Sequence, residues 1–266
     1  MSRTLLIKSW SRPAALKVHA WLQAIVAGSR YEGQEGYLFQ VCDELIKNAI
    51  KANYKFLILW QETRQRMLAE TALHSPDEAD EWIREVFYSG EDILIRQQLD
   101  KMKDLSAVMN TVRQLLDLES KLNHYKDQSE IIDPAKRQHM ADQIRDRRKS
   151  LAPLMELKAM ARQLGIFTHF KIDRNPDKIL ITVSNDAPLL KEDLDRIQRV
   201  RERFQEYARN GRTPEFFAEN LDTSGGGHGL GYALMDCTLM ELGLEPADTL
   251  FLIHANKAMV LLSLPL

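Results

Sequence analysis

Glu44-Leu45-Ile46-Lys47-Asn48-Ala49-Ile50-Lys51-Ala52 is the stretch whose reading decides the fold. At 100° per residue, Glu44, Asn48 and Lys51 fall within an arc of about 60° on a helix. Leu38, Val41, Cys42, Leu45, Ala49, Ala52 and Phe56 fill the adjacent arc. The helix can therefore bury one face and carry a carboxylate, a carboxamide and an ammonium along the seam. A carboxamide oxygen suits a hard cation such as Mg²⁺, which keeps several water and phosphate oxygens in its shell. A carboxylate one turn away can orient or deprotonate a water, and a lysine can meet a phosphate. The spacing by itself fits a solvated helix face equally well, so the reading depends on what accompanies it.

Two further segments accompany it. Gly225-Gly226-Gly227-His228-Gly229-Leu230-Gly231 places five glycines in seven positions and runs into Tyr232–Leu242, which has an apolar helical period. Such a loop delivers backbone N–H groups at a helix N-terminus, which is an anion site. It is not a Walker A loop, because no Lys-Ser/Thr follows, and it does not fit G-x-G-x-x-G after a strand. The other segment is Lys178–Leu190, in which Ile179, Ile181 and Val183 alternate with Leu180, Thr182 and Ser184. That alternation predicts a strand ending in the polar turn Asn185-Asp186-Ala187-Pro188. Lys191-Glu192-Asp193-Leu194 then opens an arginine-rich helix.

In this order and spacing, the three segments resemble the GHKL or Bergerat ATP-binding superfamily, to which sensor histidine kinases and type II topoisomerases belong. The helix is similar to that family's N box, with Asn48 at the Mg²⁺-ligand position and Glu44 where ATP-hydrolysing members carry their general base. Lys51 matches the lysine of the kinase-type N-A-x-K and is implied to contact phosphate. Gly227-His228-Gly229-Leu230-Gly231 is similar to the kinase-type second glycine box, so the amides of Gly227, Gly229, Leu230 and Gly231 are implied to cradle phosphates. Ala258–Leu266 looks like the closing strand, with its terminal Leu-Pro pair. The start of the chain, Leu5-Leu6-Ile7 followed by Pro13-Ala14-Ala15-Leu16, resembles the anti-sigma-factor serine kinases of this superfamily. The resemblance covers residues 1–60 and about 160–266.

The chain departs from the family at its first glycine box, which reads D-x-G-x-G and uses the aspartate to accept a hydrogen bond from the adenine amino group. Aligned on the strand, that aspartate falls at Asn185 and the two glycines at Ala187 and Leu189. Asn185 can still accept through its carboxamide oxygen. A shift of one residue gives the role to Asp186 at the cost of reversing the in/out alternation. The threonine that often supports the aspartate is also missing, and Ala258 and Met259 stand near its place. The phosphate half of the site is thus better kept than the base half.

Composition sets the outer bounds. The chain has 266 residues, 44% hydrophobic content and a formal net charge of −2. That is enough chain for one large or two small domains, and the charge argues against generic nucleic-acid binding. No apolar run reaches the ~20 residues needed to span a bilayer, and no signal-type segment opens the chain. The two cysteines, Cys42 and Cys237, lie on apolar helical faces as buried thiols. These features lead us to expect a cytoplasmic protein without membrane or nucleic-acid partners.

Between Leu57 and Gly165 strand signals are nearly absent, and helices are predicted over roughly 57–74, 77–127, 134–150 and 153–164. Ser75-Pro76-Asp77-Glu78 is a helix start with Ser75 as N-cap. A narrow apolar stripe from Ile93 through Leu105, Val108, Val112, Leu115 and Leu122 suits a helical hairpin or a coiled-coil seam. Residues 61–159 are accordingly read as a helical insertion, serving as a homodimer or partner-binding module or as a subdomain covering the sheet. Six arginines from Arg196 to Arg212 lie where the family has its lid over the triphosphate, which makes one of them a candidate for the γ-phosphate. None of His74, His124 and His139 has the sequence context of a histidine phosphoacceptor.

These readings combine into an α/β protein of the α+β two-layer kind, with a mixed sheet carrying helices on one face and a helical subdomain inserted. The implied function is Mg²⁺-ATP binding by a histidine-kinase-like signalling protein with a protein partner. The alternatives are a degenerate domain acting as a non-catalytic regulatory scaffold, and a partner-switching serine kinase.

Overall fold

The computed structural model of the chain describes residues 2–70, 75–89, 105–131, 148–221, 230–254 and 257–266, together with Glu91, Ile95, Gln97, Gln98, Asp142 and Arg145. In chain order its elements are β1 (Ser2–Ile7), α1 (Arg12–Val26), α2 (Glu35–Glu70), α3 (Pro76–Tyr88), α4 (Leu105–Ile131), α5 (Arg148–Leu164), β2 (Thr168–Arg174), β3 (Lys178–Asn185), α6 (Lys191–Arg209), α7 (Thr213–Leu221), α8 (Leu230–Glu241), α9 (Pro246–Thr249), β4 (Leu250–His254) and β5 (Ala258–Pro265). The chain is therefore α+β. It divides into two compact units, residues 1–6, 16–49 and 168–266 in one and residues 7–15 and 50–167 in the other. No helix among the described residues is long and apolar enough to cross a membrane.

The first unit is organised by β3. Its alternation sends Ile179, Ile181, Val183 and Asn185 inward, where each is buried, and leaves Leu180, Thr182 and Ser184 only partly covered. The five strands are ordered β1-β2-β3-β5-β4. The ladders β2–β3, β3–β5 and β4–β5 are antiparallel, where the sequence predicts a mixed sheet. The physical reason lies in the connections. Asn175 Oδ1 accepts from the amides of Asp177 (3.0 Å) and Lys178 (2.8 Å), which closes β2 and β3 into a hairpin. After β3 the chain crosses over through four helices and returns as β4, parallel in sense to β3. It then reverses into β5, which slots between them.

The core of this unit joins Phe170, Ile172, Ile179, Ile181, Leu262 and Leu264 of the sheet to Val18, Leu22 and Ile25 of α1 and Leu38, Val41 and Leu45 of α2. Each such side chain contributes roughly 1.5–3 kcal/mol on burial. Pro13 stands in the first turn of α1, where its missing N–H costs nothing. Arg174 Nη1 donates to the carbonyls of Ile25 (2.6 Å) and Ala27 (2.7 Å), closing the end of α1. Tyr31 donates its hydroxyl to the carbonyl of Pro265 at 2.8 Å.

In the second unit, α2 continues without a break for a total of 36 residues, so the separate helix predicted from residue 57 is an extension of the helix that carries Glu44 and Asn48. No glycine or proline stands between Tyr37 and Ser75 to stop it. Ser75 caps α3 by accepting from the Glu78 amide at 3.2 Å. The single helix predicted over 77–127 is instead interrupted. At Ser89 the hydroxyl donates to the Val86 carbonyl and accepts from the Glu91 amide, a local alternative to helix continuation. The helix predicted over 134–150 lies mostly outside the described residues, and α5 runs through Pro153 instead of starting there.

Phe56, Trp60, Phe87 and Tyr88 pack edge to face in this unit. Trp60 Nε1 donates to Asp80 at 2.7 Å, and Tyr54 donates to Glu119 at 2.7 Å. The Lys158 ammonium meets the other oxygen of Glu119. The stripe residues Val108, Val112, Leu115 and Leu122 are all buried within the single chain. A coiled-coil seam with a second copy would have to expose them first.

Candidate functional site

Glu44 and Asn48 sit one turn apart on α2, both half-buried, and Asn48 Nδ2 donates to Glu44 Oε1 at 3.1 Å. Lys47 turns the other way and pairs with Asp43 at 2.6 Å. Lys51 follows three residues later in the same uninterrupted helix, within the second unit. The first turn of α8 arrives at Glu44 and Asn48. A Cβ added at Gly231 would stand 2.0 Å from Glu44 Oε1, 2.8 Å from its Cδ and 3.2 Å from Asn48 Nδ2. Only a residue without a side chain lets the helix N-terminus come this close to the carboxylate–carboxamide pair.

Three of the residues selected from sequence are thus brought together: Glu44, Asn48 and Gly231. Leu230 begins α8 beside them, and its N-terminal amides carry the positive end of a 12-residue helix. Gly227 and Gly229 lie outside the described residues, as do His74 and His139. His124 is exposed on α4. Next along α8, Tyr232 is buried and its phenol is pushed up to about 12, chiefly by burial, with Arg201 acting against the shift and Glu44 adding to it. It stays neutral and serves as packing.

At the end of β3, Asn185 is 3% exposed and points inward, and Ala258 on β5 stands directly opposite it. Ala187 is fully buried, and its carbonyl accepts from the Ala258 amide. Asp186 is engaged elsewhere. Its two carboxylate oxygens meet His169 Nε2 at 2.9 Å and Lys257 Nζ at 2.6 Å. His169 lies opposite Ser184 in the ladder, so this ion cluster belongs to the outward side of β3, the opposite side from Asn185.

The arginines are mostly committed as well. Arg196 bonds Asp193. Arg203 and Arg212 pair with Glu219 and Glu215, and both lie over the ring of Tyr207. Arg201 is the one turned inward. It forks onto buried Asp236 through Nε and Nη2 and donates to the carbonyls of Leu250 and Pro246. Its partner could have been suspected from sequence, because a lone aspartate in the apolar run Tyr232–Leu239 must find a cation or many donors. Phe204, Phe216 and Ala233 form a small core that packs α6 and α7 against α8.

Burial raises the thiol of Cys42, and to a lesser extent that of partly buried Cys237, so both stay protonated. Among the described residues no three His, Cys, Asp or Glu side chains group to hold a metal. A cation at Asn48 would take one carboxamide oxygen from this helix and fill its shell with phosphate and water, the pattern that suits Mg²⁺. Compared with family models, with curated proteins and with solved structures, the chain finds no match.

Proposed function

We propose that this chain binds Mg²⁺-ATP in a GHKL-type site and acts as a histidine-kinase-like signalling protein, by phosphoryl transfer or hydrolysis. The observation that carries the reading is the seat of Gly231 against Glu44 and Asn48. It joins a glycine-rich helix N-terminus, which attracts phosphate, to a carboxamide that suits Mg²⁺. In this reading Asn48 Oδ1 ligates the metal. The amides from Gly227 to Gly231 hold phosphates, Asn185 meets the base, and Glu44 serves as general base. Bound Mg²⁺ would supply charge neutralisation at the phosphate oxygens. The rest of the catalysis is positioning, as phosphoryl transfer requires.

A specific observation favours a second reading, a degenerate domain that works as a regulatory scaffold. Ala187 is fully buried where the family has a glycine, and Ala258 faces Asn185 where the family has a supporting threonine. Both changes fall on the base half of the site. Calorimetric titration with ATP, ADP and GTP, with and without Mg²⁺, separates the two. Metal-dependent binding that Asn48→Ala abolishes supports the nucleotide reading. An absence of binding at millimolar nucleotide overturns it and leaves the scaffold.

A further inference from the structure

We propose that Glu44 is a positioning residue for the cation ligand: it fixes the Asn48 carboxamide so that Oδ1, and not Nδ2, faces the cation. The proposal rests on the nucleotide reading above and specifies how its metal position is built. The two ends of a carboxamide have nearly the same shape, so orientation follows from their partners. An ionised carboxylate can only accept hydrogen bonds. With Glu44 Oε1 at 3.1 Å, only the nitrogen of Asn48 can face it. The flipped amide would set two acceptors against each other and forfeit a charge-assisted hydrogen bond. Oδ1 is thereby turned away from Glu44 and is the one atom of this side chain able to ligate Mg²⁺.

What holds Glu44 in place is also visible. Lys47, three residues along α2, pairs with Asp43 at 2.6 Å. From the other side, Gly231 leaves less room than a methyl group would need beside Oε1. The first turn of α8 therefore braces the Glu44 carboxylate, and the carboxylate orients Asn48. The phosphate-side helix and the metal ligand act as one mechanical unit, linked through Glu44. Partners that orient a metal ligand typically account for about 10–100-fold in metal affinity.

The test uses the full chain and three forms of position 44. The side-chain amide protons of Asn48 are followed by NMR, and ADP is titrated with and without Mg²⁺. In Glu44→Ala the Asn48 amide protons should lose their hydrogen-bonded shift, and the Mg²⁺-dependent gain in ADP affinity should fall about tenfold or more. The effect is read as the ratio of ADP affinities with and without Mg²⁺, so that any change in metal-free binding from losing the carboxylate charge cancels. Glu44→Gln keeps the shape and an acceptor oxygen but adds a donor, so it no longer dictates which end of Asn48 faces it and should recover both signals only in part. The proposal is overturned if Glu44→Ala leaves the Mg²⁺-dependent gain intact, or if Glu44→Gln matches the wild type in full, since an acceptor-only carboxylate would then not be what fixes Asn48. If the wild-type chain binds no ADP under either condition, the nucleotide reading falls and takes the cation role with it. If it binds Mg²⁺-ADP but the Asn48 amide protons ignore Glu44→Ala, positioning fails alone.

Discussion

Arg201→Met is the substitution that most directly tests how the sheet-bearing unit is held together. Arg201 is 11% exposed and Asp236 0% exposed. The guanidinium reaches Asp236 through three contacts of 2.9–3.1 Å and the carbonyls of Leu250 and Pro246 at 3.0 and 3.1 Å. Methionine keeps much of the volume and removes every one of these bonds. Asp236 then retains Gln205 Nε2 at 3.3 Å as its remaining described partner. Stripping one member from a buried pair leaves an uncompensated charge and costs about 3–5 kcal/mol. Read as amide exchange in α8 and β4, that corresponds to protection lowered roughly 10²–10⁴-fold, with amides of α4 and α5 unchanged.

The pH dependence gives a second, independent readout of the same pair. Burial holds the Asp236 carboxyl above its ordinary value, and the Arg201 and Gln205 contacts pull it back. A group raised in the fold contributes stability that is present below its unfolded value and lost as pH rises through the folded value. Removing Arg201 removes the largest opposing influence, so the folded value rises further and the loss at neutral pH grows. The gap between Arg201→Met and wild type should be widest near neutral pH and should shrink in mild acid, where Asp236 takes up a proton. Adding Asp236→Asn to Arg201→Met should recover part of the loss, because the buried charge is then gone. A gap below about 1 kcal/mol, or one that does not change with pH, would refute the reasoning and make the pair comparable to a surface salt bridge.

Three further outcomes are expected. Gly231→Ala forces its methyl onto Glu44 and should cost ~1–3 kcal/mol in thermal unfolding, with weaker nucleotide binding by calorimetry; a neutral result would mean α8 is not seated on Glu44. Asn185→Asp places a carboxylate acceptor at the buried end of β3 and, in the nucleotide reading, should tighten ATP binding by roughly 1.5–3 kcal/mol in titration, while lowering stability without nucleotide. Unchanged ATP affinity would remove Asn185 from the base contact. Glu119→Ala leaves the Tyr54 hydroxyl and the Lys158 ammonium without their shared acceptor and should destabilise the helical unit by about 3 kcal/mol, the low end for a broken buried pair because Lys158 can still reach water. Exchange protection in α4 and α5 should fall while β3 and β5 keep theirs.

Where a pattern was local and periodic, the sequence disclosed it. β3 was legible because Ile179, Ile181 and Val183 alternate cleanly, and the same alternation placed Asn185 inward. Two strands were passed over. In β2 the buried Phe170 and Ile172 alternate with His169, Lys171 and Asp173, but the run is seven residues of mostly polar side chains directly after a helix. β4 is a four-residue apolar run closed by His254, too short and too uniform for its period to be read. The direction of pairing was not legible at all, since it depends on where the chain returns after four helices. Nor was the Arg201–Asp236 pair, whose members stand 35 residues apart. Sequence spacing showed six arginines on helical faces but could not show which one turns inward.

The glycine-rich run shows what kind of information a sequence withholds even where it is read in the right place. Glycines there suggest backbone freedom, and positive φ is the usual reason to require them. Gly231 is helical and is not among the described glycines with positive φ, which are Gly28, Gly33, Gly165, Gly211 and Gly243. Its requirement is spatial, set by Glu44 Oε1 on a helix that lies some 190 residues earlier in the chain. Gly231 and the helix carrying Glu44 are therefore two halves of one fitted contact. A substitution at Gly231 should be relieved in part by shortening residue 44 and not by loosening the loop. Combining Gly231→Ala with Glu44→Asp separates the two causes: recovery of stability identifies crowding of the carboxylate, and no recovery returns the glycine to a purely backbone role.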